Sequence, residues 1–190
     1  MQTLSSTTAG KGAGLLLRAL PMALFLLTIP AGSWISDLGS QPDPNGPHLI
    51  PIGFGLMAPP DVITVGAGLV LRNVVQRVQG LGWGLAAIAI GAALTGLMSE
   101  PPYLVASVGT FLLAQVVNMA IYTSLARHGF ALAVAVASAV GGIVDSAAFM
   151  WIAFGSLDHI LELSIGKIWI SVLAVPVILL SQRLTPVPGR

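Results

Sequence analysis

The chain has 190 residues, of which 55% are apolar and only 8% charged, and its mean hydropathy is +0.91. No soluble domain of this length has that balance, so the sequence reads as a single compact domain embedded in a bilayer. The absence of cysteine excludes disulfides, thiolate metal ligation and cysteine catalysis, and a net charge of +1 on thinly spread basic residues offers nothing to nucleic acid.

In chain order, residues 1–14 are rich in Ser, Thr and Gly and are expected to form a short disordered cytoplasmic tail. Six apolar stretches follow, each near or above the ~20 residues that cross a bilayer as a helix. The first, Leu15 to Ile35, has the basic flank, apolar core (Ala19 to Ile29) and small residues (Ala31 to Ser33) of a secretory signal. Its apolar run continues through Trp34 and Ile35, however, so it is read as a retained crossing. Gln41 to Pro47 is turn chemistry and is expected to be an external loop.

The second stretch, Leu49 to Gln76, is interrupted by Ala58, Pro59 and Pro60. Proline removes a backbone donor and clashes with the preceding turn, so this helix is expected to be kinked there, or to break and restart near Asp61. Gly82 to Met98, Tyr103 to Ala126, Ala131 to Gly155 and Ile160 to Gln182 complete an all-α bundle of six transmembrane helices in residues 15–182, with a cytoplasmic tail at 183–190. The 22 glycines suit helices that pack closely in lipid. The two halves share no polar positions, so an inverted-repeat transporter is not supported.

Charge sorts along this pattern. Lys11 and Arg18 precede the first stretch, Arg72 and Arg77 end the second, Arg127 follows the fourth, and Arg183 and Arg190 follow the sixth. Asp37, Asp43, Glu100, Asp158 and Glu162 fall at the opposite ends. The positive-inside rule then places both termini in the cytoplasm of a multi-pass protein of the bacterial plasma membrane.

Three ionisable residues belong to neither face: Asp61, Asp145 and Lys167. Asp61 precedes Arg72 by eleven residues, about 16 Å at ~1.5 Å per residue, which places it near the midplane if Arg72 marks the cytoplasmic end. Asp145 is central in the fifth helix and Lys167 lies about two turns into the sixth, so the two can meet across a short external loop. Charges in hydrocarbon are costly unless paired or hydrated, so they should face the bundle interior, either lining a solute cavity or clasping two helices. Asp61 either serves a site or caps the restarted helix.

Gln115 and Asn118 share one face of the fourth helix with Tyr122, fit for hydrogen bonding a polar solute or for joining helices. Ser107 and Thr110, further out on that helix, are less informative. Phe149, Trp151 and Phe154, with Trp169 on the next helix, offer faces for a flat heterocycle or anchors at the interface. No phosphate loop, metal-binding histidine pair or nucleophile elbow is present; His48, His128 and His159 share no crossing. No catalytic residue, metal site or cofactor is therefore assigned, and the protein is not expected to be an enzyme.

The run Gly141 to Phe154 (GGIVDSAAFMWIAF), joined to Gly166, Lys167 and Pro176, resembles the vitamin uptake transporter (VUT) family, which includes queuosine precursor transporters of the YhhQ type. The stretches Gly66 to Gly80 and Ala106 to Leu125, with Ala137 and Ser138, extend the resemblance over about residues 50–180. The chain departs from the family pattern at Asn73, Gln115 and Asn118, amides where carboxylates are usual, and it is shorter than typical YhhQ-type members.

The resemblance implies import of a 7-deazaguanine such as 7-cyano-7-deazaguanine. Asp145 or Asp61 would accept from the donor edge of the base, Gln115 and Asn118 would meet its remaining polar atoms, and Phe149 or Trp151 would stack on the ring. Lys167 would hold Asp145 ionised or meet the carbonyl oxygen. Without a nucleotide-binding motif, uptake would be facilitated, proton coupled or powered by a separate partner. The partners implied are the solute and the lipid bilayer, with self-association into a homo-oligomer compatible. Two other readings stay open: a substrate-binding membrane subunit of a multi-component vitamin importer, and a structural membrane protein that transports nothing.

Overall fold

The computed structural model describes residues 5–38 and 49–184, with side chains described for residues 19–36 and 49–180. Six helices make up the bundle: α1 (Ser5–Leu38), α2 (Val62–Gln79), α3 (Leu81–Met98), α4 (Leu104–Leu125), α5 (Phe130–Phe154) and α6 (Ile160–Leu184). Single 3₁₀ turns at Pro101–Tyr103 and Ala126–His128 shorten the connections on either side of α4. All but α2 are long and apolar enough to cross a bilayer. The outward faces carry Leu27, Leu97, Val105, Trp151, Leu161 and Val177, as lipid-facing surfaces should.

Helix α2 is the exception for a physical reason. It packs against each of the other five helices, and much of its surface, Arg72 and Asn73 included, is buried among them. A helix shielded from lipid does not need an apolar perimeter, so polar residues that lower its hydropathy are tolerated inside the protein.

Three expectations are corrected here. The second apolar stretch breaks at the prolines and begins as helix at Val62, beside Asp61, but the part before the break is no half-helix: residues 50–58 form a β-hairpin, β1 (Ile50–Gly53) antiparallel to β2 (Leu56–Ala58). Gly53, Phe54 and Gly55 all have positive φ at the hairpin tip, a path that glycine permits at no steric cost, and Pro59 and Pro60 then bar helix from extending back from α2. Hydropathy registered the apolar content of this segment but not its turn. The hairpin seats Ala58, fully buried, against Val62, Met150 and Leu163.

Second, Arg72 does not mark the end of α2. The helix runs on to Gln79 and stops at Gly80, whose φ of 97° breaks the helical path, so Arg77 is the basic residue of its last turn. Asp61, at the N-cap position, accordingly lies at one end of α2 rather than part-way along a crossing. Third, α1 begins at Ser5 rather than Leu15, so helix takes in most of the expected tail. The external loop expected at Gln41 to Pro47 and the tail beyond residue 184 lie outside the described residues.

Close approaches between small residues set the helix spacing. A Cβ added at Gly142 of α5 would lie 3.0 Å from Lys167 Cβ, and one at Gly66 of α2 would lie 3.1 Å from the Lys167 carbonyl oxygen. These two glycines bring α2 and α5 against the one lysine of α6, where a larger residue would force the helices apart.

Candidate functional site

The bundle alternates direction, so the helix ends divide into an acidic end, with Asp61, Glu100, Asp158 and Glu162, and a basic end, with Arg77 and Arg127. A cavity of about 350 Å³ lies toward the acidic end and is lined by residues of all six helices. It reaches Ser36, Ser99, Glu100 and Tyr103 at the helix ends and descends to Leu69 and Gln115. That volume falls in the range of sites for small organic ligands.

On one wall, Lys167 Nζ donates to Asp145 Oδ2 at 2.6 Å and to Ser146 Oγ at 2.9 Å. Ser146 Oγ in turn donates to the Gly142 carbonyl, which orients the hydroxyl toward the lysine. Lys167 is only 3% exposed, so the paired carboxylate and the hydroxyl stand in for the water the ammonium has lost. Phe149 lies on the same wall, its ring edge-on to Phe154 with centroids 6.0 Å apart.

The lining also carries hydrogen-bonding atoms with no partner among the described residues. Asp61 Oδ1, Thr110 Oγ1 and Gln115 Oε1 are buried, have no partner, and belong to residues that line the cavity. Asp61 sits at the N-cap position of α2 without a side-chain capping bond of full geometry, and the backbone N–H groups of Asp61 and Val62 bear on its carboxylate. Buried polar groups are nearly always satisfied, and three orphans around one cavity mark a place built to be filled.

A second polar cluster lies one to two helical turns nearer the basic end. The Arg72 guanidinium is fully buried and donates to Asn73 Oδ1, to Gln76 Oε1 at 2.5 Å and to Asn118 Oδ1 at 3.1 Å. Asn118 Nδ2 donates to the Leu69 carbonyl at 2.9 Å, Asn73 Nδ2 to Ser138 Oγ at 3.2 Å, and Gln76 Nε2 to Thr123 Oγ1 at 2.9 Å. The Tyr122 ring lies under the guanidinium, 5.8 Å from its centroid. These bonds tie α2 to α4 and α5, and Arg72 has no carboxylate among its described partners.

Of the seven residues singled out in the sequence, the structure brings five to the cavity: Asp61, Gln115, Asp145, Phe149 and Lys167. Asn118 belongs to the Arg72 cluster instead, because three residues along α4 is about 4.5 Å of rise, enough to move from the cavity floor to the layer below. Trp151 is 62% exposed on the outer surface of α5 and lines no part of the cavity. Two participants were missed. Thr110 is among the less informative residues of the sequence, and only its orphaned hydroxyl distinguishes it. Arg72 was read as a face marker, although the four polar residues at 72, 73, 76 and 77 in an apolar helix were a signal that this helix is shielded.

A family described as "Putative vitamin uptake transporter" matches residues 62–181, which takes in α2 to α5 and nearly all of α6, together with Asp145, Lys167, Gln115 and the Arg72 cluster. No curated protein and no solved structure matches the chain. The match spans well over half of the sequence, and with five apolar helices able to cross a bilayer the chain is a multi-pass membrane protein that belongs to the vitamin uptake transporter family.

Proposed function

We propose that the protein imports a small polar heterocycle, a queuosine precursor of the 7-cyano-7-deazaguanine type. The observation that carries this reading is the set of three orphaned atoms, Asp61 Oδ1, Thr110 Oγ1 and Gln115 Oε1, in a cavity walled by every helix. A guanine-like edge offers adjacent N–H donors beside a carbonyl acceptor. Carboxylate and amide oxygens at Asp61 and Gln115 suit the donors, the Thr110 hydroxyl suits an acceptor, and Phe149 offers an apolar ring face. Asp145, held by Lys167, supplies a second carboxylate on the facing wall.

The transport mechanism follows from the two polar layers. With α2 counted as a shielded sixth crossing, both termini lie on the basic, cytoplasmic side, and the cavity opens outward. The Arg72 cluster then closes the cytoplasmic half. A solute bound from outside reaches the cytoplasm only when α2 separates from α4 and α5 at that layer, and neutral amide acceptors let these bonds break without separating an ion pair.

The test is complementation of a bacterium that lacks both precursor synthesis and its own importer, supplied with limiting 7-cyano-7-deazaguanine, with queuosine in tRNA as the readout. Rescue by the wild type and not by an equally expressed Asp145→Asn variant is the expected result. Failure of a well-expressed, folded wild type removes the queuosine assignment.

A further inference from the structure

We infer that Asp61 is a proton-binding site that couples import to the proton gradient, an inference that rests on the transport reading above. Its basis is a count of charges around the cavity. Among the described residues, the ionisable groups in the lining are Asp61 at the start of α2, Glu100 after α3, Tyr103 before α4, Asp145 on α5 and Lys167 on α6. Helix α1 contributes only hydroxyl and apolar groups to this lining. Glu100 and Tyr103 stand at the mouth, where water reaches them. Inside there are thus two carboxylates and one ammonium.

Lys167 is committed: its amine contacts Asp145 Oδ2 and Ser146 Oγ, its stem packs on Gly142, and its backbone carbonyl packs on Gly66. Asp61 has a buried Oδ1 with no partner among the described residues; besides the backbone N–H groups of Asp61 and Val62, the charges that bear on its carboxylate are Lys167 and Asp145. Asp61 is part-buried with a second carboxylate and only one ammonium beside it, and a carboxylate short of water and of a cation of its own is eased by taking a proton. A neutral solute brings no cation, whereas a proton can arrive through the mouth past Glu100, Ser99 and Ser36.

The arrangement also supplies a mechanism for coupling. With its proton, Asp61 leaves Lys167 to Asp145; without it, Asp61 becomes a second anion competing for the same ammonium, drawing the start of α2 toward α6. Arg72 lies on that same helix about three turns further along. Protonation at one end of α2 is thereby linked to the clasp that closes the other side. One proton binds the carboxylate from outside and leaves to the cytoplasm with the solute, and apart from that O–H bond no covalent bond forms or breaks.

Two measurements test this. The first needs no solute: infrared difference spectra of the purified protein, titrated across the pH range in which it stays folded. The C=O stretch of a protonated carboxylic acid should be present in the wild type and in Glu100→Gln, shifted in Asp61→Glu and lost in Asp61→Asn. Absence of any Asp61-dependent band at every pH overturns the inference. The second is uptake of labelled 7-cyano-7-deazaguanine into proteoliposomes. An inward proton gradient should drive accumulation that a protonophore abolishes, and in Asp61→Asn the gradient should no longer stimulate whatever uptake remains. Wild-type uptake that ignores both gradient and protonophore also overturns it. If the wild type moves no 7-cyano-7-deazaguanine at all, the solute assignment fails, and the infrared band alone decides the proton site.

Discussion

Lys167 and Arg72 are both buried cations, a few turns apart in one bundle, and they are neutralised in opposite ways. Lys167 has a carboxylate, Asp145, and faces a cavity. Arg72 has three amide oxygens and an aromatic face, and it is sealed. The ionic pair lines the cavity; the amide network lies where three helices are bonded together. A buried ion pair is costly to pull apart, because each half is then stranded in a medium of low polarity. Amide partners hold a guanidinium by hydrogen bonds without an opposing charge, so the clasp is weaker and reversible. Arg72 Nε has no partner among the described residues, which leaves that layer short of full satisfaction.

The largest effect is expected from splitting the ionic pair. Lys167→Ala strands Asp145 and should abolish uptake while lowering stability by about 3–5 kcal/mol, read from thermal unfolding in detergent. The double variant Lys167→Met with Asp145→Asn should recover most of that stability and none of the uptake. Recovery of both would reduce the pair to a clasp and erase its contrast with Arg72.

The reverse experiment gives Arg72 what Lys167 has. Asn73→Asp places a carboxylate beside the guanidinium, and it should raise the unfolding temperature while slowing uptake by about tenfold, the effect of ~1.4 kcal/mol added to the opening step. Unchanged uptake would show that this layer does not open during the cycle.

Smaller effects sharpen the boundary of the site. Gly142→Val presses on the Lys167 stem and should cost about 1–3 kcal/mol of stability, since the contact leaves no room for a side chain. Thr110→Val keeps the shape of a side chain whose hydroxyl has no partner among the described residues, so stability should hold while solute affinity falls by about tenfold in a binding assay. Trp151→Leu, on the outer surface, should leave uptake unchanged and stability within about 0.5 kcal/mol.

Some of this was legible from residue order alone and some was not. Asp145 and Lys167 stood out because an ionisable side chain in an apolar helix has so few tolerable surroundings that its partner is nearly implied. The hairpin at residues 50–58 escaped the hydropathy reading, since an apolar run has the same average in a helix as in two strands; only the glycines flanking Phe54 and the prolines that follow hinted at a turn. Gln115 and Asn118 looked equivalent, three residues apart on one face, and tertiary packing put one in the cavity and the other beneath Arg72.

Composition and charge order alone were enough to require a multi-pass helical bundle with an acidic and a basic end, because the bilayer admits so few backbone arrangements and sorts charge between its faces. Which helix stands at the centre, that Arg72 is enclosed rather than facial, and that Asp61 Oδ1 has no partner among the described residues beside an occupied lysine depended on the tertiary structure. Each is a property of contacts between segments distant in the chain, and whether a polar atom is satisfied is defined only once the neighbours that could satisfy it are in place.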